Sequence, residues 1–444
     1  MLIRLFVSYK IYLILIVLTG CGAVQTIFKQ QSPHEQYSNL LQTDGLAQTV
    51  LAQKWIAAGK HSLQNATFME LPLSCSGFFA AGNPRALAYK SYIEEGRIIQ
   101  LKASVTSESK AQLFIDIFNK SNKQQWKRIA FADSTYKIEY EVKRSDTFLI
   151  RLQPEALVNM NFSLLINTNP QLINPVLGAD NKSIGSFFGD SRANGKRIHE
   201  GVDIFAAHGT AVLAPTNGFI ARVGSNNLGG KVVWMRDHKL NQSYYFAHLD
   251  SQRVATGQKI SKGDTIGFVG NTGNAKHTPP HLHFGIYQSG SKDPLPYIFK
   301  SKTINQLPKL QANFSQPVTM RVTREVVNMR SGPSTKNKIN QKLNRNEYLE
   351  IIVIFADWYQ VQQADSIYGF VADHLLDSLR PLATYALIKE TELLVKPQLQ
   401  SVRKSILDSA ESVKFLARYN GYQLIETDDK VQGWVRKEQN EHLF

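Results

Sequence analysis

Cysteine is nearly absent from this chain: there are 2 in 444 residues, Cys21 and Cys75. That excludes a disulfide framework and a metal site closed by four thiolates. It leaves one conceivable bridge, Cys21 to Cys75, in an oxidising compartment. Neither thiol has the surroundings of a nucleophile, because Leu73-Ser74-Cys75-Ser76-Gly77 offers no base. Long hydrophobic runs are scarce too. The strongest extends only from Ile11 to Leu18, whereas a membrane-spanning helix needs about twenty apolar residues. Acidic residues are in deficit, 36 against 51 Lys and Arg, for a net charge of +15. Such an excess suits a polyanionic partner, whether nucleic acid, lipid headgroups or wall polymer, but equally a solvated basic surface. With 43% hydrophobic and 20% charged residues, the chain is neither disordered nor multi-spanning. Its length predicts about three or four domains.

What is present begins with an address. Arg4 and Lys10 flank the start of the short apolar run, which ends in Thr19-Gly20-Cys21; this is the layout of a secretion signal over residues 1–20. Leu18-Thr19-Gly20-Cys21 resembles the lipobox of bacterial lipoproteins. The resemblance implies that Cys21 is acylated, becomes the first residue of the mature chain and anchors it to a membrane. Gly22, in place of an aspartate, implies sorting to the outer membrane of a Gram-negative host, facing the periplasm. The competing reading is a cleaved, soluble secreted protein. Either address argues against nucleic acid as the partner.

The pattern predicts a mostly β, multidomain chain. Leu40, Leu41, Leu46, Val50, Leu51, Trp55 and Ile56 fall at helical spacings within a tether and helical segment over 21–65. From 66 to 170, alternating runs such as Leu113–Phe118 and Thr147–Leu152 predict an antiparallel β-sandwich. A glycine-rich all-β segment follows over 172–300. Beyond a polar linker, Trp358-Tyr359-Gln360-Val361 recurs as Gly421-Tyr422-Gln423-Leu424, and Gly369-Phe370-Val371 as Gly433-Trp434-Val435. The first copy, 319–380, contains Arg330-Ser331-Gly332-Pro333-Ser334 and resembles bacterial SH3-like domains. The second, 381–440, has Leu394-Val395-Lys396-Pro397 instead and is divergent.

Histidine carries the chemistry. In His281-Leu282-His283 the two imidazoles point to one face of a strand; alone, that pattern fits a metal site or an ordinary surface strand. Upstream stands His199-Glu200-Gly201-Val202-Asp203-Ile204, where Asp203 faces away from Val202 and Ile204 on a short strand. His199, Asp203 and His283 make a three-donor set with a fourth position open, the arrangement of catalytic rather than structural zinc. The helical motif His-Glu-x-x-His is excluded by Asp203 in its fifth place. His248, in Tyr244-Tyr245-Phe246-Ala247-His248-Leu249, is expected to project on the face of Phe246, either toward the same cleft or into a hydrogen bond at a strand end.

His199-x-x-x-Asp203, Ala247-His248-Leu249 and His281-Leu282-His283, in this order, resemble the lysostaphin and LytM-type zinc endopeptidases of peptidoglycan. The resemblance extends through Gly209-Thr210-Ala211-Val212, Lys262-Gly263-Asp264 and Gly270-Asn271-Thr272-Gly273, with Gly285 and Thr278-Pro279-Pro280 as departures. It implies one zinc ion held by His199, Asp203 and His283, with His281 as general base and His248 as oxyanion stabiliser, roles that could be exchanged. It also implies hydrolysis of peptidoglycan stem-peptide cross-links, D-alanyl-diaminopimelate in a Gram-negative envelope. Two rivals follow from the same resemblance: a silent regulator of other wall hydrolases, and a glycyl-glycine endopeptidase. Asn194 is a candidate to approach the metal when substrate is absent. His208, His238 and His277 receive no role.

Overall fold

The computed structural model describes residues 31–120, 124–192, 194–309 and 317–437. Cys21 and the signal at 1–20 lie outside them. The described chain is mostly β and multidomain, its α-helices being Pro33–Thr43, Val50–Gln64 and the short Leu295–Ile298. Among the described residues no helix is long and apolar enough to cross a membrane.

The first two helices start where the sequence supplies caps. Ser32 Oγ accepts from Glu35 N at 3.2 Å with Pro33 following, and Thr49 Oγ1 accepts from Ala52 N at 3.3 Å. They bury Leu41 and Trp55 on Phe114, at the outer face of a five-stranded sheet. In its strand Asp146–Pro154, Phe148, Ile150 and Leu152 face the sandwich core while Leu149 packs with Ala66, Ala88 and Phe118 on the other side. Burial on both faces explains why this strand reads as a nearly continuous apolar run.

The second sheet of the sandwich does not stop at the sandwich. Leu73–Phe79 pairs on one side with Met160–Pro170 and on the other with Tyr348–Ile354 of the first SH3-like unit, Ser76 opposite Ile354 and Gly77 opposite Val353. A Cβ on Gly77 would lie 2.6 Å from the Ile352 carbonyl oxygen, so this contact requires glycine. Ile352, Val353, Phe355 and Phe370 belong to the same apolar core as the sandwich. The first SH3-like unit is thus fused to the sandwich by a shared sheet. The divergent second unit forms its own six-stranded sheet, tied back by Arg321, which donates to Leu416 O at 3.4 Å.

The histidine-rich segment is an antiparallel sheet whose path runs Ile184–Ser186, Val202–Phe205, His281–Tyr287, Gln242–Gln252, Gly230–Asp237 and Gly218–Asn226. Val202, Ile204, Phe246, Leu282 and Phe284 are fully buried on one face, which leaves the other face free for a cleft. The sandwich abuts this domain away from the cleft. Arg97, buried, donates to Phe299 O at 2.6 Å, Lys292 pairs with Glu95 at 2.6 Å, and Gly96 (φ 90°) runs under the Tyr297 ring.

Candidate metal centre and active site

Two neighbouring strands build the centre. Val202–Phe205 and His281–Tyr287 pair with Asp203 directly opposite His283, so period-2 alternation aims both side chains out of the sheet on the face opposite the core. His199 enters from the segment preceding Val202. The result is a tight triangle: His199 Nε2 to Asp203 Oδ1 at 3.0 Å, His199 Nε2 to His283 Nδ1 at 2.9 Å, and His283 Nδ1 to Asp203 Oδ1 at 3.0 Å. Gly201 makes room for it, since a Cβ there would lie 2.8 Å from His283 Cε1 and 2.5 Å from Phe284 O.

A hydrogen bond on the far side of His199 fixes its tautomer. A carbonyl only accepts, so the 2.8 Å contact of His199 Nδ1 with Phe187 O puts the proton on Nδ1 and turns the Nε2 lone pair to the centre. Burial alone would raise the Asp203 carboxyl, but the two imidazoles outweigh it and hold the group well below the usual carboxylate range. Burial lowers His283 and keeps it neutral, against the pull of Asp203. His199 Nε2, His283 Nδ1 and an Asp203 carboxylate oxygen therefore bring three electron-rich atoms to one point. A divalent cation relieves that repulsion. The observed edges are a few tenths of an ångström shorter than the ~3.4 Å donor separation that bonds of ~2.1 Å at tetrahedral angles require, so a small outward movement of the three groups admits the ion. His199, Asp203 and His283 are the metal-competent group among the described residues, and they fit zinc.

His281 and His248 flank the triangle, their ring centroids 5.0 Å apart. His281 Nδ1 donates to Pro279 O at 2.9 Å and His248 Nδ1 to Thr272 O at 2.9 Å, so both free Nε2 atoms are acceptors. Burial depresses His248 to about 4, the Thr272 contact acts against this, and nearby His281 and His283 add to it. The route by which His248 reaches the cleft corrects the alternation argument. Strict alternation would align it with Phe246, which is buried in the core. Instead His248 has φ 61° and the strand register shifts on either side of it. This bulge turns the ring onto the face of Tyr245 and Ala247. Positive φ in a histidine costs roughly 1–3 kcal/mol and marks a position held by its surroundings.

The cleft has a volume of about 440 Å³, and His199, Asp203, His248, His281 and His283 all line it. None of its described lining residues comes from the sandwich or the SH3-like units. Cys21 lies outside the described residues and Cys75 is buried in the sandwich core. Asn194 is exposed in a turn (φ 56°) and is not among the lining residues. His208 pairs with Asp250 at 3.4 Å and His238 stacks on Phe219.

Arg192 is the residue that sequence reasoning missed. Its Nη2 donates to Asp203 Oδ2 at 3.3 Å, the carboxylate oxygen not used in the triangle, and to Ser186 Oγ. Arg197, opposite it in the hairpin, also lines the cleft. The only signal was Asn194-Gly195, a turn pair that sets two strands side by side; nothing in it shows that the hairpin folds onto Asp203.

The segment that carries these residues is similar to known proteins. Residues 197–294 match the model of peptidase family M23, and residues 325–377 that of the bacterial SH3 domain. An L-Ala–D-Glu endopeptidase of Bacillus subtilis (strain 168) is 39% identical over 130 residues, covering 26% of this chain and 39% of that protein. The peptidoglycan DD-endopeptidase ShyC of Vibrio cholerae is 29% identical over 146 residues, 33% and 28% of the respective chains. The solved catalytic domain of lysostaphin from Staphylococcus simulans is 31% identical, covering 26% of this chain and 89% of that one, with a TM-score of 0.24. The chain thus spans well under half the length of these two curated relatives. Through residues 197–294 it belongs to peptidase family M23, and it carries a bacterial SH3 domain at 325–377.

Proposed function

We propose that this protein is a zinc-dependent endopeptidase of the cell envelope, anchored through Cys21, that hydrolyses D-alanyl-diaminopimelate cross-links of peptidoglycan. The observation that carries the reading is the donor triangle of His199, Asp203 and His283 beside two imidazoles whose free Nε2 atoms line the same cleft. A zinc ion held there supplies Lewis acidity toward a water and a scissile carbonyl. The chain's own groups do the rest. His281 takes the water proton at Nε2, its Nδ1–H locked on Pro279 O. His248, neutral at rest, receives that proton from His281, whose ring centroid is 5.0 Å away, stabilises the developing charge as an imidazolium and passes the proton to the leaving amine. Arg192 keeps the Asp203 carboxylate oriented.

The choice of bond rests on charge. Beyond Asp203, a donor to the metal, the described cleft lining contains no carboxylate, while Arg192 and Arg197 both contribute to it. Such a wall suits a substrate carrying free carboxylates better than a neutral glycine bridge. The two curated relatives bear names for different bonds of the wall peptide, so the test compares substrates. Wild type should cleave a D-alanyl-diaminopimelate cross-linked dimer faster than pentaglycine, and Arg197→Glu should lower kcat/KM on the dimer about tenfold. Faster cleavage of pentaglycine, or of the L-Ala–D-Glu bond, would replace this assignment.

A further inference from the structure

Where the sandwich meets the first SH3-like unit lies a cavity of about 570 Å³, larger than the catalytic cleft. Its walls come from residues 61–90 on one side and 331–370 on the other, and neither half closes it alone. The seam is firm. Tyr89 donates to Gln360 Oε1 at 3.1 Å, and Arg85 bonds Glu350 at 3.3 Å and Gln362 across it, beside the shared sheet.

We propose that this cavity binds a short peptide carrying free carboxylates. Among the described residues no Asp or Glu lines it, whereas Arg85 and Lys90 do. Gln360 uses its amide oxygen for Tyr89, which leaves its amide nitrogen at the cavity wall as a donor for a bound group. Asn337 and Asn340 add paired donors and acceptors of the kind a peptide backbone needs, and the Tyr368 ring forms part of the wall. Cations and amide donors together select a carboxylate-bearing peptide over a neutral one. The site is some other place than the catalytic cleft and requires both domains, so an SH3 unit cut free of the sandwich would lack it.

The test uses chain 22–444 carrying His281→Ala, so that binding is read without turnover and its outcome is independent of the cleavage reaction. The probe is the tetrapeptide L-Ala-γ-D-Glu-diaminopimelate-D-Ala, titrated calorimetrically against its carboxyl-amidated form. The acid should bind at least about tenfold more tightly than the amide, a loss matched by Lys90→Glu. Gln360→Glu, which keeps the acceptor for Tyr89 but replaces the free donor with a carboxylate, should weaken binding similarly. Lys102→Glu, an exposed charge on the same sandwich, should leave it unchanged. In the otherwise wild-type chain, Lys90→Glu should leave kcat/KM on a soluble dimer unaltered. No binding, equal affinity for acid and amide, displacement by inorganic phosphate at equal strength, or indifference to Lys90→Glu would each overturn the proposal.

Discussion

At the scale of single residues, the five cleft groups divide into two kinds, and substitution should separate them. His199, Asp203 and His283 converge on one point, so His283→Ala should lose both bound zinc and activity. His281 stands outside the triangle, its Nε2 free; His281→Ala should retain zinc and lose roughly a hundredfold or more in kcat. Metal analysis alongside turnover checks both, and loss of zinc from the second variant would contradict the division. Gly201 gives a subtler case. Adding a methyl group there forces His283 or the Phe284 carbonyl to move. Gly201→Ala should therefore weaken zinc binding while costing about 1–3 kcal/mol of stability in chemical denaturation.

At the scale of elements, legibility depended on whether the strand kept its period. His281 and His283, two apart on a regular strand, and Asp203 between buried Val202 and Ile204 follow from alternation alone. His248 does not: alternation assigns it to the core face, and only a bulge with φ 61° brings it out. Arg192 was illegible for another reason, since its importance comes from a hairpin folding back over Asp203. The run Ile351-Ile352-Val353-Ile354 did carry a signal, because a strand apolar on both faces is covered on both; the sequence does not say that the covering partner is Leu73–Phe79.

The helical cap makes a prediction of its own. His34 bonds Gln153 at 2.8 Å and stacks on Trp55. Burial, helped by nearby Arg151, lowers it from 6.5 to about 4. The unfolded chain then binds more protons than the folded one between these values, so stability rises with pH across that window. It is complete above about 6.5 and declines by roughly 3 kcal/mol toward pH 4. A urea titration series should show this slope, and His34→Gln should flatten it.

At the scale of the whole molecule, the order of domains along the chain is not their order in space. The peptidase segment is inserted between two pieces that share one sheet and one core. Ending the chain at residue 309 would expose Phe79, Phe162 and their neighbours where Ile352, Val353, Phe355 and Phe370 now pack, at roughly 1.5–3 kcal/mol for each lost side chain. Such a truncation should lower the melting temperature of the sandwich or render it insoluble, whereas removing only the divergent unit beyond residue 380 should leave that core intact. Melting curves of the two truncations decide this. The same arrangement keeps the catalytic cleft clear of both flanking units among the described residues, so activity should need no release of a covering domain.

The measurement that bears most directly on the account is digestion of purified Gram-negative sacculi by zinc-loaded chain 22–444, with and without chelator, and mass analysis of the released muropeptides. The account predicts conversion of cross-linked dimers to monomers, cut at the D-alanyl-diaminopimelate bond, abolished by chelator and restored by zinc. Absence of conversion by a zinc-loaded, folded protein, or cleavage that chelator leaves untouched, would contradict it.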